Sequence, residues 1–144
     1  MSPASVMLRL PPRRLDQLKT LSAVLNLSLA DTIGHMLRKE IAAGVIPGTI
    51  PGIVVERAGD TVSITFDDHP ALVFSLDIAR LFASTIRDVV AGVSGPYTIQ
   101  AGAWFSIQRI GNGFKINLRM GGPDVVLSGD LARDLADLIE KAAT

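Results

Sequence analysis

The second half of the chain contains its own sequence twice. Arg57–Val90 aligns with Arg109–Ala143 when one extra residue is allowed beside Gly122, and eleven of thirty-four positions are identical. They are Arg57/Arg109, Gly59/Gly111, Ile64/Ile116, Pro70/Pro123, Val73/Val126, Ser75/Ser128, Asp77/Asp130, Ala79/Ala132, Arg80/Arg133, Ala83/Ala136 and Ile86/Ile139. A fold for this stretch must use one order of elements two times. Each copy opens with a strand, Ile53–Ala58 or Trp104–Ile110, and a tight turn at Gly59-Asp60 or Gly111-Asn112. A second strand follows, in which Val62, Ile64 and Phe66, or Phe114, Ile116 and Leu118, alternate with polar residues as a half-buried strand requires. A turn containing proline leads to a third strand, Ala71–Phe74 or Asp124–Leu127. Ser75 or Ser128 then caps a helix with Asp77 or Asp130 in its first turn. The buried stripe expected for these helices is Ile78, Leu81, Phe82, Ile86 and Val89 in one, and Leu131, Leu135, Leu138 and Ile139 in the other.

One β-β-β-α unit has an apolar sheet face and an apolar helix stripe to cover. Two units are expected to pair about a pseudo-two-fold axis into one sheet carrying two helices, an α+β arrangement. The repeats span 53–91 and 104–143, within a domain of residues 53–144. The connection Ala91–Ala103 is rich in small residues and has room for a further strand near Tyr97–Ile99.

Residues 1–44 follow another pattern. Val6, Leu8 and Leu10 alternate with Ser5, Met7 and Arg9 as a short strand, which Pro11-Pro12 ends while opening a helix. Leu15, Leu18, Leu21 and Leu25 recur at helical spacing. Asn26 suits a left-handed C-cap, and Ser28 suits the N-cap of a second helix with Asp31 in its first turn. Ile33, Met36, Leu37 and Ile41 form that helix's stripe, and Gly44 closes it. Residues 45–52, with two Pro-Gly pairs, read as the linker between the domains.

Charge separates the same two parts. The formal net charge of the whole chain is zero. Residues 1–44 hold Arg9, Arg13, Arg14, Lys19, Arg38 and Lys39 against Asp16, Asp31 and Glu40, a net of +3, which leaves −3 for the remainder. Only the first part has the sign that a phosphate backbone attracts. The chain has no cysteine, which removes disulfides, thiolate metal sites and thiol nucleophiles. No secretory signal and no bilayer-spanning run is visible, so a cytoplasmic protein without membrane contact is expected.

The order strand–helix–helix across residues 4–43, carried by Ser5-Val-Met-Leu-Arg-Leu-Pro-Pro and Asn26-Leu-Ser-Leu-Ala-Asp-Thr-Ile, resembles the ribbon–helix–helix family of DNA-binding proteins. The resemblance implies an intertwined homodimer, or a higher homo-oligomer, in which the strands of two copies make an antiparallel ribbon for the major groove of double-stranded DNA. Ser5, Met7 and Arg9 would then read bases. Arg9 can bond a guanine edge with both arms of its guanidinium, and Met7 can touch only apolar surface such as a thymine methyl. The resemblance also implies a phosphate clamp at the start of the second helix, made by Ser28 and the backbone of Leu29 and Ala30. Arg13, Arg14 and Lys19 are further candidates for phosphate contact.

The function expected from these residues is a sequence-specific DNA-binding transcriptional regulator, a repressor. Residues 53–144 would serve oligomerisation, a protein partner or a ligand. The alternatives are a plasmid-partition or conjugation accessory protein, or an antitoxin. The tandem repeats are also loosely similar to positive-cofactor-type and Pur-type single-strand binders, through Gly113-Phe-Lys-Ile116 and Leu127-Ser-Gly-Asp-Leu-Ala-Arg133. Their net acidic charge argues against single-strand binding, which needs a basic groove. His35 and His69 stand apart and read as solvated or turn residues rather than metal ligands. Arg57, Arg109, Arg80 and Arg133 read as structural partners of nearby acids. Trp104, Phe105 and Tyr97 read as core or interface. No nucleophile–base pair or phosphate loop is visible, so neither an enzyme nor a cofactor is expected.

Overall fold

The computed structural model describes residues 6–67, 69–93, 97–100, 104–111, 113–117 and 124–144, with residues 97–100 and 104 described by backbone alone. The protein is α+β, with four helices and two antiparallel sheets among the described residues. It divides into two compact units, one ending at Gly48 and the other running from Thr49 to Thr144.

The first unit holds α1 (Pro12–Leu25) and α2 (Leu29–Ala42). Pro12 sits where its missing N–H costs nothing, in the first turn of α1. Asn26 ends that helix in the left-handed conformation at φ 55°, and its N–H and that of Leu27 return to Ala23 and Ser22 carbonyls. The Ser28 side chain then accepts the Asp31 N–H at 3.1 Å and caps α2. Gly44, with φ +78°, closes α2 with its N–H on the Ile41 carbonyl.

The second unit begins with β1 (Ile53–Ala58), β2 (Thr61–Phe66), β3 (Leu72–Ser75) and α3 (Leu76–Val90). It continues with β4 (Tyr97–Gln100), β5 (Trp104–Ile110), β6 (Gly113–Asn117), β7 (Asp124–Ser128) and α4 (Gly129–Ala143). The expected bounds of β1 and β5 hold to the residue, and the expected strand near Tyr97 is β4. The third strands each end one residue later than expected. Ser75 and Ser128 cap α3 and α4, accepting the N–H of Ile78 and Leu131 respectively.

Two sequence expectations fail. The strands do not merge into one sheet: β1-β2-β3 form one, and β4-β5-β6-β7 another. Leu81 and Leu131 are 38 % and 37 % exposed rather than buried, and alanines join the buried set instead. Ala79, Phe82, Ala83, Ile86 and Val89 of α3 are buried, as are Ala132, Leu135, Ala136, Ile139 and Ala143 of α4. The helices α3 and α4 pack against each other, and small side chains suit such a helix pair. The helices also reach across. Besides its own sheet, α3 packs on β5, and α4 packs on β1. Phe82 of α3 meets Phe105 of β5 with ring centroids 4.4 Å apart. Both sheets and both helices therefore close one hydrophobic core.

The segment 45–52 is only partly a linker. Ile50 is buried in that core, and its carbonyl accepts the Ile53 N–H at 3.0 Å around Pro51-Gly52. Gly52 has φ +81°, and a Cβ there would lie 2.5 Å from Asp67 Oδ1, so any other residue would be strained in the turn and would displace that carboxylate.

Candidate nucleic-acid interface

The basic unit lacks an interior of its own. No residue of α1 is buried, and in α2 only Thr32 and Gly34 are. The stripe expected to be buried is instead open. Leu8, Leu10, Leu18, Leu21, Ile33, Met36 and Leu37 line a groove of about 540 Å³, with Arg14 and Gln17 at its margin. Residues 6–11 make no ladder within the chain, so the expected strand is not formed there by intrachain pairing. Val6 is 92 % exposed and Met7 86 %, although both are apolar.

Of the residues expected to read bases, Met7 and Arg9 lie on this exposed segment, and Ser5 lies outside the described residues. Arg13 and Arg14 occupy the first turn of α1 and Lys19 a later one, all exposed. Arg14 is partly engaged, donating from Nη1 to Gln17 Oε1 at 2.9 Å. Two arginines at a helix N-terminus oppose its dipole, and no acidic residue offsets them in that turn. A phosphate nearby would relieve this unfavourable placement.

The start of α2 has the donors an anion needs. Leu29 and Ala30 are exposed, and their N–H groups are the first two of the helix, ahead of the first intrahelical bond. Ser28 Oγ accepts the Asp31 N–H and so positions the turn, which leaves its O–H as the group that could donate to a phosphate oxygen. Asp31 brings a carboxylate to the same turn, which lowers its attraction for a phosphate. Sequence reasoning did not single out Thr32. It is fully buried and donates to the Ser28 carbonyl at 2.7 Å, tying the cap to the helix. Nor did it single out Ser22, whose hydroxyl donates to the Leu27 carbonyl and fixes the bend between α1 and α2.

Three of the duplicated arginines, Arg57, Arg80 and Arg109, make structural contacts, but Arg57 and Arg109 bind backbone carbonyls where acids were expected. Arg57 donates to the carbonyls of Gly59 at 3.0 Å and Thr144 at 2.7 Å. Arg80 donates to the Ala143 carbonyl at 2.7 Å and pairs with Asp77 at 3.2 Å. Both guanidinium groups thus sit at the negative end of the α4 dipole. Arg109 repeats the local contact of Arg57, donating to the Gly111 carbonyl at 3.3 Å, and lies over the Phe114 ring. Arg87 is held more firmly protonated than an ordinary arginine, chiefly by its hydrogen bond to Asp137 and also by Glu140, against a smaller cost of burial. Lys115 and Arg119 are the basic residues of the second repeat's middle strand region; Lys115 faces Asp124 at 3.8 Å, and Arg119 lies outside the described residues. The side chains of Tyr97 and Trp104 also lie outside them, while Phe105 is core. Among the described residues no three His, Cys, Asp or Glu side chains converge as metal ligands, and no helix is long and apolar enough to cross a membrane.

No family model matches the chain, and no curated protein or solved structure matches it either.

Proposed function

We propose that this chain is a sequence-specific double-stranded DNA-binding regulator, a repressor, that works as a homodimer through a ribbon–helix–helix unit at its N-terminus. The observation that carries the reading is the open apolar groove beside an exposed Val6–Leu10 that pairs with nothing among the described residues. Two helices with no buried residue in α1 cannot hold themselves together in water. A second copy would satisfy both needs at once. Its Val6, Leu8 and Leu10 would pair antiparallel with the first copy's segment, and its helices would cover the groove. Ser5, Met7 and Arg9 would then project from both strands into the major groove, with Arg13, Arg14, Lys19 and the start of α2 towards phosphates.

On this reading residues 53–144 form a duplicated domain of two β-β-β-α repeats. Its self-contained core favours a regulator over an antitoxin, whose tail would need its toxin to order it.

The test is fluorescence anisotropy of the full chain on its own upstream DNA and on an unrelated duplex at several salt concentrations. The expected result is tighter binding to the upstream DNA, with log K falling linearly as log salt rises. Arg9→Ala should lose sequence preference by roughly 1–3 kcal/mol while keeping the salt slope nearly intact. Absence of duplex binding at low salt would remove the proposal. Equal binding to both duplexes would favour the partition or conjugation accessory role.

A further inference from the structure

The two sheets differ at one edge. In the second, β4 lies antiparallel along β5, with Tyr97 opposite Ile107 and Ile99 opposite Phe105. In the first, β1 occupies the position of β5, and β1 is the outermost strand. The sequence alignment makes Ile107 equivalent to Val55 and Phe105 equivalent to Ile53. Ile50 bridges Ile53 and so fills the place that Ile99 fills on β5. Nothing among the described strands fills the place of Tyr97, opposite Val55.

Hairpin geometry fixes which groups are left over. The β1–β2 turn has two residues, Gly59 and Asp60, and closes on the Ala58–Thr61 pair. Gly59 takes φ +60°, as the first position of such a turn requires. The closing pair exchanges hydrogen bonds, and bonded pairs then alternate, so Ala58, Glu56 and Val54 bond β2. The N–H and C=O groups of Arg57, Val55 and Ile53 point to the open side. The Ile53 N–H confirms the direction, since it donates to the Ile50 carbonyl. Among the described residues no strand takes those of Val55 and Arg57. Of the devices that usually protect an edge, Val54–Ala58 has the charges of Glu56 and Arg57 but no proline or lysine, and the Arg57 guanidinium is held by the Gly59 and Thr144 carbonyls. Val54 beside it is 49 % exposed.

We propose that the open edge of β1, from Val54 to Ala58, is a docking site for an extended segment of a partner protein, added antiparallel as β4 is added to β5. The occupant's chemistry is set by the strand that fills the equivalent place, Tyr97-Thr-Ile-Gln100, which is uncharged and alternates large apolar with polar residues. A large, preferably aromatic, residue belongs opposite Val55, which is half-buried against the core. Its own N–H and C=O would bond those of Val55, and the residue two positions before it would bond Arg57. The residue between them, beside exposed Glu56, is polar. This inference does not depend on DNA binding.

The probe is the capped tetrapeptide Tyr-Thr-Tyr-Thr, which places its tyrosines opposite Arg57 and Val55. With the isotope-labelled full chain and millimolar peptide, the amide signals of Val55 and Arg57 should shift and their hydrogen exchange slow by about tenfold. Val55→Pro removes an edge donor but no β1–β2 bond, and should abolish the response while the other amide signals persist. N-methylation of the second tyrosine should abolish binding, whereas N-methylation of the first threonine should not, a contrast that needs no protein variant. The proposal is overturned by any of four results. These are no response to the peptide, equal binding of the two methylated peptides, responses at Trp104–Ile107 in place of β1, or protection of Val55 and Arg57 before peptide is added. The last would mean that another part of the chain, or a second copy, already covers the edge.

Discussion

Leu37 offers a direct test of whether a second copy covers the groove. In the single chain its side chain is 50 % exposed, although it lies among the groove's apolar residues. In a lone chain, Leu37→Ala removes only the half of the side chain already out of water, about 1 kcal/mol of chain stability, and has no effect on association. Helix propensity adds nothing adverse, because alanine is at least as good a helix former as leucine. If a second copy covers the groove, the remaining half of each leucine leaves water. Complete burial of a leucine is worth about 1.5–3 kcal/mol, so the second half contributes roughly 1 kcal/mol per copy. Two copies make about 2 kcal/mol per dimer, or about 30-fold in the dimer dissociation constant. Sedimentation equilibrium across a concentration series measures it, with Val24→Ala as control. Val24 is 77 % exposed on α1 and does not line the groove. A dissociation constant unchanged within twofold by Leu37→Ala would refute the dimer geometry. So would a parent protein that stays monomeric at concentrations where it binds DNA.

Three further outcomes are expected. Phe82→Ala should destabilise the second unit by about 3–5 kcal/mol, because Phe82 is fully buried and joins α3 to β5. Both sheets should lose their amide protection together; loss from one sheet alone would contradict a single shared core. Ser128→Ala should cost about 1 kcal/mol through loss of the α4 cap, read by chemical denaturation, with Ser128→Gly costing only a few tenths. Glu140→Arg should cost on the order of 1 kcal/mol by setting two cations together beside Asp137, and Arg87→Glu in the same chain should restore much of it.

Local chemistry made most elements legible. The caps at Ser28, Ser75 and Ser128 and the left-handed Asn26 follow from side-chain and backbone preferences within four residues, and all four hold. The alternation of Val62, Ile64 and Phe66 gives β2 for the same reason. What failed depends on contacts between distant segments. Whether β1 joins β5 or stops at an open edge is not written in the period of either strand. Leu81 and Leu131 attract attention by their apolarity, yet the buried positions include Ala79, Ala83, Ala132 and Ala136, whose small side chains suit two helices packed together. Phosphate contact was read for Arg14 from charge alone, and its bond to Gln17 is a detail of rotamer that charge does not reveal. The reading roles of Met7 and Arg9 are a step further removed. They depend on where a second chain lies, and no contact within one chain fixes that.

The ion pair at the α3–α4 seam ties the sequence repeat to the packing. Arg87 and Glu140 occupy matching positions of the two repeats, and they meet at 2.5 Å. A residue can touch its own equivalent only beside the axis that relates the two copies, so this pair marks where a pseudo-two-fold axis would pass. The reciprocal packing of α3 on β5 and α4 on β1 has the same symmetry. At such an axis two identical subunits would oppose like residues, Arg87 to Arg87 or Glu140 to Glu140. Joined in one chain, the copies carry opposite charges there, and Asp137 adds a second acid on the same side. The exposed pair contributes little stability, but it penalises pairing of α3 with the α3 of another molecule, or of α4 with another α4, which would set like charges together. On the proposed reading the two units therefore divide the labour of association. The second closes its core within one chain and selects against a partner in that place. The first leaves its groove open, and self-association should be concentrated there.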